Sequence, residues 1–217
     1  MARFCKNLPP GRGLNLAWSP PGLAVVRQFL SRNQCDELVG YLSQQASQDA
    51  KIKDVDHESH TVHTRVDRQR ITKTVELGEM KETAIKYVTL AFRDITTPYF
   101  GANLASFSFP SALKYEPGGR FDSHADSEHW SPEESRWIRS QDRDYSILLY
   151  LNEDYQGGAI SFPNFNLRIQ PTRGMLITFP SDHRFVHAAE PLISGQRYVL
   201  VSWGLDAATP RLASQKF

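Results

Sequence analysis

The sequence predicts a mainly β fold with flanking α-helices, a sandwich or jelly roll preceded by the helices. Two observations carry that expectation. After Gly101 the chain breaks into short β-rich runs: SFSFPSALKY, DYSILLYLN, GAISF, LRIQP, MLITFP, RFVHAAE and RYVLVSWGL. Turn-forming PGG, QGG, TRG and ISG separate several of them, a punctuation that marks antiparallel sandwiches and jelly rolls. Before Gly101, apolar residues recur instead at helical spacing. A length of 217 residues with 40% hydrophobic and 23% charged residues is enough for one domain with a substantial core.

The elements follow in order. Residues 1–22 hold Pro9, Pro10, Pro20 and Pro21 among several glycines and form an irregular lead-in. LAVVRQFL, residues 23–30, is a short strand. Ser31 with Gln34 three places on forms a capping box. Cys35, Leu38, Val39 and Leu42 then set an amphipathic helix over roughly 32–48. Residues 50–70 are polar. Met80, Ala84, Ile85, Val88, Phe92 and Ile95 stripe a second helix over about 77–98. Seven or eight antiparallel strands complete the chain. The expected organisation is one domain over 1–217, with support helices in 23–100 and a β core in 101–206.

Charge and cysteine usage give several function classes no support. A net charge of +1 offers no electrostatic argument for nucleic acid or an acidic membrane. The two cysteines, Cys5 and Cys35, make neither a CxxC zinc motif nor a disulfide framework. No long apolar segment marks a secretory signal or a membrane span, so a soluble, cytoplasmic protein is expected. Gly118–Gly119 and Gly157–Gly158 are turn glycines, since no GxxxxGK phosphate cradle follows them.

The chemistry begins at FDSHADS, residues 121–127. Residues i and i+2 of a strand share a face, so His124 and Asp126 can bind one metal, and an imidazole with a carboxylate suits Fe(II). Alone, HxD is equally a polar turn. A third ligand must come from a distant strand, and His183 and His187 are the candidates. HRFVHAAE reads as a strand, and the spacing of Pro191, Gly195 and Arg197 after His187 favours His187 over His183. Two histidines and a carboxylate leave open positions for a bidentate 2-oxo acid and dioxygen. Arg197 could meet the far carboxylate of such a cosubstrate with its fork, or be a solvated charge at a strand end.

Taken together, YEPGGRFDSHADS, RDYSILLYLNEDYQGGAISFP and PTRGMLITFPSDHRFVHAAEPLISGQRYVLVSWG resemble the Fe(II)/2-oxoglutarate oxygenases over residues 110–205. More narrowly, they are similar to the prolyl 4-hydroxylase-like branch. The resemblance implies a double-stranded β-helix, a jelly-roll (cupin-like) core, with the N-terminal helices packed on one sheet. It implies iron ligands at His124, Asp126 and His187, and Arg197 on the 2-oxoglutarate C5 carboxylate. Tyr115 stands where the family places a tyrosine that hydrogen-bonds the cosubstrate. Arg143 and Trp203 match residues near the substrate, although a strand-start charge and core packing are their structural alternatives.

The activity so implied is a dioxygenase that uses Fe(II), 2-oxoglutarate and O2 to hydroxylate an unactivated C–H bond, releasing succinate and CO2. Asp126 favours hydroxylation over halogenation, because halogenases in the family carry a small residue there. The substrate expected is amino-acid-like, a prolyl residue in a peptide ahead of a free amino acid or natural-product intermediate. Desaturation or cyclisation, and a non-catalytic jelly-roll binding protein, are the alternatives. Residues 52–70 and 128–142 are candidate lids, carrying Arg65, Asp67, Arg68, Arg136 and Arg139. Those charges either hold substrate or are solvated. His57, His60 and His63 read as loop residues rather than a second metal site.

Overall fold

The computed structural model describes residues 15–17, 22–50, 52–56, 61–65 and 69–212, with side chains described from 22 to 50 and from 69 to 212. The chain opens with β1 (Asn15–Ala17), β2 (Ala24–Arg27) and α1 (Arg32–Leu42). The expected capping box is complete: Gln34 N donates to Ser31 Oγ at 3.4 Å, and Ser31 N donates to Gln34 Oε1 at 2.9 Å. The helix stops at Leu42 rather than near 48. Beyond Leu42 the chain offers QQASQ with no apolar stripe to bury, and it pairs as an edge strand instead.

That edge strand is β3 (Ser47–Asp49); β4 (Ile52–Asp56) and β5 (Thr61–Arg65) pair as a hairpin, followed by β6 (Arg70–Ile71) and β7 (Lys73–Val75). A 3-10 turn leads into α2 (Lys81–Ala91), which continues as a π-helical turn at Phe92–Thr96 and then α3 (Thr97–Phe100). The helical reading of 77–98 is right in place, but the helix changes pitch. Thr96 Oγ1 donates to Ala91 O at 3.3 Å and lies 3.0 Å from Thr178 Oγ1, so a buried hydroxyl pair sits at the wider turn. Gly101, in the left-handed region at φ 66, ends the helix.

The β region comprises β8 (Leu104–Phe107), β9 (Ser111–Tyr115), β10 (Arg120–His124), β11 (Glu128–Ser131), β12 (Arg136–Arg139), β13 (Tyr145–Tyr150) and β14 (Tyr155–Gly157). It continues through β15 (Ile160–Phe162), β16 (Leu167–Ile169), β17 (Leu176–Pro180), β18 (His187–Ala189), β19 (Leu192–Gly195) and β20 (Arg197–Asp206). These are more numerous and shorter than the seven or eight expected, because turns and bulges cut single runs in two. SFSFPSALKY, for example, breaks at Pro110 into β8 and β9. RFVHAAE is likewise not one strand: His183–Phe185 is a 3-10 turn, and pairing starts only at His187.

Two antiparallel sheets face each other. The larger runs β1-β2-β17-β13-β20-β9-β7-β3, with β8 also on β20; the smaller runs β16-β15-β18-β10-β6. Alternation divides the core. On β20, Tyr198 and Leu200 join the cluster formed with Leu38, Leu42, Val88 and Phe92 of the helical region. Val199 and Val201 join Ile160, Phe162, Ile177 and Phe179 between the sheets. The helices therefore pack on the outer face of the large sheet, and the inner face is left for Arg197, Val199, Val201 and Trp203 at i, i+2 spacing. This is the jelly-roll arrangement the sequence predicts.

Candidate active site

β10 and β18 are neighbours in the small sheet, and their register sets His124 opposite His187. The register slips between Phe121 and His124. Such a bulge bends a strand and re-aims its side chains. Asp126 follows just past the end of β10. Nε2 of His124 lies 3.6 Å from Asp126 Oδ1, and Nε2 of His187 lies 3.8 Å from Asp126 Oδ2. The candidate ligand atoms of the three residues all lie within 4.8 Å of one another. His183 is not part of this group.

The tautomers are set by the backbone. Asp122 O stands 2.8 Å from His124 Nδ1, and Phe185 O stands 3.0 Å from His187 Nδ1. A carbonyl only accepts, so each Nδ1 carries the proton and each Nε2 presents its lone pair to the centre. Burial, with His124 as a neighbour, pulls His187 down to about 4 against the opposing charge of Asp126, keeping it neutral at ordinary pH. Burial pushes the Asp126 carboxyl up, but His187, His124 and Arg143 outweigh it and hold the group well below the usual carboxylate range. Both ligating forms are thus favoured before any metal arrives. Ser146 Oγ donates to Asp126 Oδ2 at 2.6 Å and sits 2.7 Å from Ser181 Oγ, which fixes the carboxylate from β13.

A second charged feature lies inside the sheets. Arg197, the first residue of β20, is 1% exposed. Its guanidinium carbon stands 3.9 Å from the Tyr115 ring centroid, and Nη1 donates to Gly158 O. Arg197 Nε and Tyr155 Oη are buried with no hydrogen-bond partner. An unmet buried donor costs about 1–3 kcal/mol, so a group absent from the chain itself is expected to satisfy them. Burial, opposed by Arg197, pushes Tyr155 up to about 12, so its phenol stays a donor. A carboxylate fits this donor set. Tyr150 belongs to the same group: burial raises its phenol, and Arg197 opposes the rise. Tyr150 and Tyr155 escaped the sequence reading, although both flank the LNED turn that precedes Gly157.

Arg143 and Trp203, eligible only by resemblance, are brought together. The Arg143 guanidinium lies 3.7 Å from the Trp203 ring centroid, and Nη1 donates to Asp126 O at 3.1 Å. Arg143 therefore touches the ligand segment, and Trp203 stacks on Arg143. The lid arginines do not behave alike. Arg136 pairs with Glu134 beside it, inside the β11–β12 hairpin, and Arg139 binds Pro210 O at 2.8 Å and Asp142 at 3.2 Å, tying the hairpin to the segments that follow it. His183 is bound through both its backbone N and Nδ1 to Glu128 Oε2, and its ring stacks on Trp137 at 5.5 Å. His57, His60, Asp67 and Arg68 lie outside the described residues, as do the side chains of His63 and Arg65.

Metal ligands beside two unmet donors call for a dianion that chelates metal at one end and carries a carboxylate at the other. A 2-oxo acid at a non-haem iron site is a group of that kind. Residues 110–204 match the model of the 2OG-Fe(II) oxygenase superfamily. The chain is 27% identical over 169 residues to "Prolyl 3-hydroxylase 2" of Rattus norvegicus, covering 66% of this chain and 24% of the relative. It is 21% identical over 155 residues to "Prolyl 4-hydroxylase subunit alpha-1" of the same species, covering 68% and 28%. The matches thus span about a quarter of the length of these relatives. The fold matches a prolyl hydroxylase of Trichoplax adhaerens, solved with a hypoxia-inducible-factor peptide, at TM-score 0.65 and 20% identity, covering 85% and 84%.

Proposed function

We propose that the chain hydroxylates an unactivated C–H bond of an amino-acid-type substrate, with a prolyl residue of a peptide favoured over a free amino acid or natural-product intermediate. The observation that carries this reading is the pairing of a converged His/Asp/His group with a buried arginine whose Nε lacks a partner. The prolyl preference rests on the names of the relatives.

His124 and His187 would hold Fe(II) through Nε2, and Asp126 through the carboxylate that Ser146 steadies. Arg197 would grip the C5 carboxylate of 2-oxoglutarate, with Tyr155 donating to the same group and Tyr115, whose ring stacks on the guanidinium, hydrogen-bonding the cosubstrate through its hydroxyl. When bound, iron, 2-oxoglutarate and O2 supply the oxidative decarboxylation that yields succinate and CO2 and hydroxylates the substrate. The protein's part is to bind, orient and keep water out. Arg143 and Trp203, stacked at the edge of the ligand segment, would line the substrate side. One catalytic domain, with residues 101–206 as its core and 23–100 as its support, belongs to the same reading. Among the described residues no helix is long and apolar enough to cross a membrane. A cytoplasmic location rests on the sequence alone.

The test is an anaerobic titration of the protein with Fe(II) and 2-oxoglutarate, scanned for the visible charge-transfer band of the chelate. The band is expected in the wild type and absent from His187→Ala. A folded, iron-loaded protein without the band would make the site inactive and favour a binding role.

A further inference from the structure

A second arginine stands beside the triad, and the proposed reaction does not yet use it. Arg70, on β6, pairs in register with Phe121 of β10. Its guanidinium lies 4.9 Å from the Phe121 ring centroid, and that ring stacks on His124 with centroids 3.6 Å apart. Arg70 Nε is buried and has no hydrogen-bond partner among the described residues. Arg143 sits on the other side of the ligand segment, over Trp203 and against Asp126 O. The two guanidinium groups are near enough that Arg70 depresses the Arg143 pKa, after the larger effect of burial.

Among the described residues, neither arginine forms an ion pair with a side chain. The nearby carboxylate, Asp126, offers Arg143 its backbone oxygen, while its side chain is committed to the histidines and Ser146. Two like charges are therefore drawn together beside the triad, and among the described residues the charge opposing Arg143 is that of Asp126, whose carboxylate is already turned to the histidines. Leaving a guanidinium donor unmet is costly, and like charges in low dielectric repel. A bound anion removes both penalties, and planar guanidinium forks suit a carboxylate.

We infer that Arg70 and Arg143 together form a specificity site for a substrate carboxylate next to the carbon that is hydroxylated. The inference rests on the oxygenase reading and narrows it. An internal prolyl residue, whose carbonyl is an amide, lacks the required charge; a free amino acid or the terminal residue of a peptide has it. Arg197 is not available for this role, because its neighbours are Tyr115, Gly158 and the buried tyrosines.

Two probe pairs that differ only in the carboxylate test it: L-proline against L-prolinamide, and N-acetyl-L-proline against N-acetyl-L-prolinamide. Each is titrated anaerobically into the protein holding Fe(II) and 2-oxoglutarate, and binding is read by calorimetry. The acid of at least one pair is expected to bind roughly tenfold or more tightly than its amide. Preference in the first pair points to a free amino acid, and preference in the second to a chain terminus. Arg70→Gln is expected to erase the acid's advantage, and Arg70→Lys to keep part of it. Equal binding of acid and amide, no binding of either acid, or an unchanged preference in Arg70→Gln overturns the inference. The chelate band, recorded on every sample, reports separately whether the oxygenase site itself has formed.

Discussion

Ser146 is fully buried, and its hydroxyl is the link between β13 and the Asp126 carboxylate, with Ser181 behind it. Groups that orient a metal ligand from behind affect affinity about 10–100-fold. Ser146→Ala should therefore weaken Fe(II) or Mn(II) binding by that order while the protein stays folded, as measured by metal titration alongside circular dichroism. Unchanged affinity would show that the Asp126 rotamer is held without it. Gly158 is the matching case at the arginine. It lies at φ +63, and an added Cβ would approach Leu192 Cδ1 at 2.7 Å and Arg197 Nη1 at 3.0 Å. Gly158→Ala is expected to raise the Kd for 2-oxoglutarate several-fold while metal affinity is kept, because it strains the turn and shifts the guanidinium. Equal losses of both would point to a general collapse of the sheet.

At the scale of elements, α1 shows how local signals become packing energy. Its capping box satisfies backbone donors that the helix leaves free, and Ser31→Ala should cost about 1 kcal/mol in urea denaturation. Leu38, with no exposed surface, anchors the same helix on the sheet. Cys35, on that buried face, has its thiol pushed up from 9.0 to about 11, mainly by burial, with Arg173 opposing and Asp36 adding. The folded thiol holds its proton where the unfolded one has lost it. Its contribution to stability is therefore complete below pH 9 and is lost as pH rises toward 11. Urea midpoints measured from pH 8 to 11 should fall over that window, and the fall should be shallower in Cys35→Ser. A slope identical in the two proteins would assign it to other groups.

For the whole molecule, the site joins elements that are far apart in sequence. Asp126 and His187 come from opposite ends of a long excursion through both sheets, and Arg197 starts the strand that lies between β13 and β9. Ligands that bind the folded state should stabilise it as one unit, by about 2.7 kcal/mol at a hundredfold excess over Kd. Calorimetry should show one melting increment from Fe(II) and a second from 2-oxoglutarate under anaerobic conditions. Arg197→Gln is expected to keep the first and lose most of the second; His187→Ala should lose both. A full 2-oxoglutarate increment in Arg197→Gln would remove Arg197 from the cosubstrate site.

The chain by itself determined the class of fold, the helix start at Ser31, the strand-rich half after Gly101 and the identity of the residues that converge. Period-two alternation and turn glycines are local properties, so they survive in one dimension. HxD spacing and the late His187 and Arg197 are also readable there, because each depends on residue type and chain order. Tertiary structure alone decided the rest. Whether α1 stops at Leu42 or runs on depends on whether an edge of the sheet offers β3 a partner. The choice of His187 over His183 was made by spacing, and the reason for it is register: β18 places His187 opposite His124, while His183 is bound in a turn to Glu128. Tyr155, Ser146 and Arg70 gave no sequence signal, since a buried donor without a partner, or a hydroxyl set behind a ligand carboxylate, exists only once the sheets close around it.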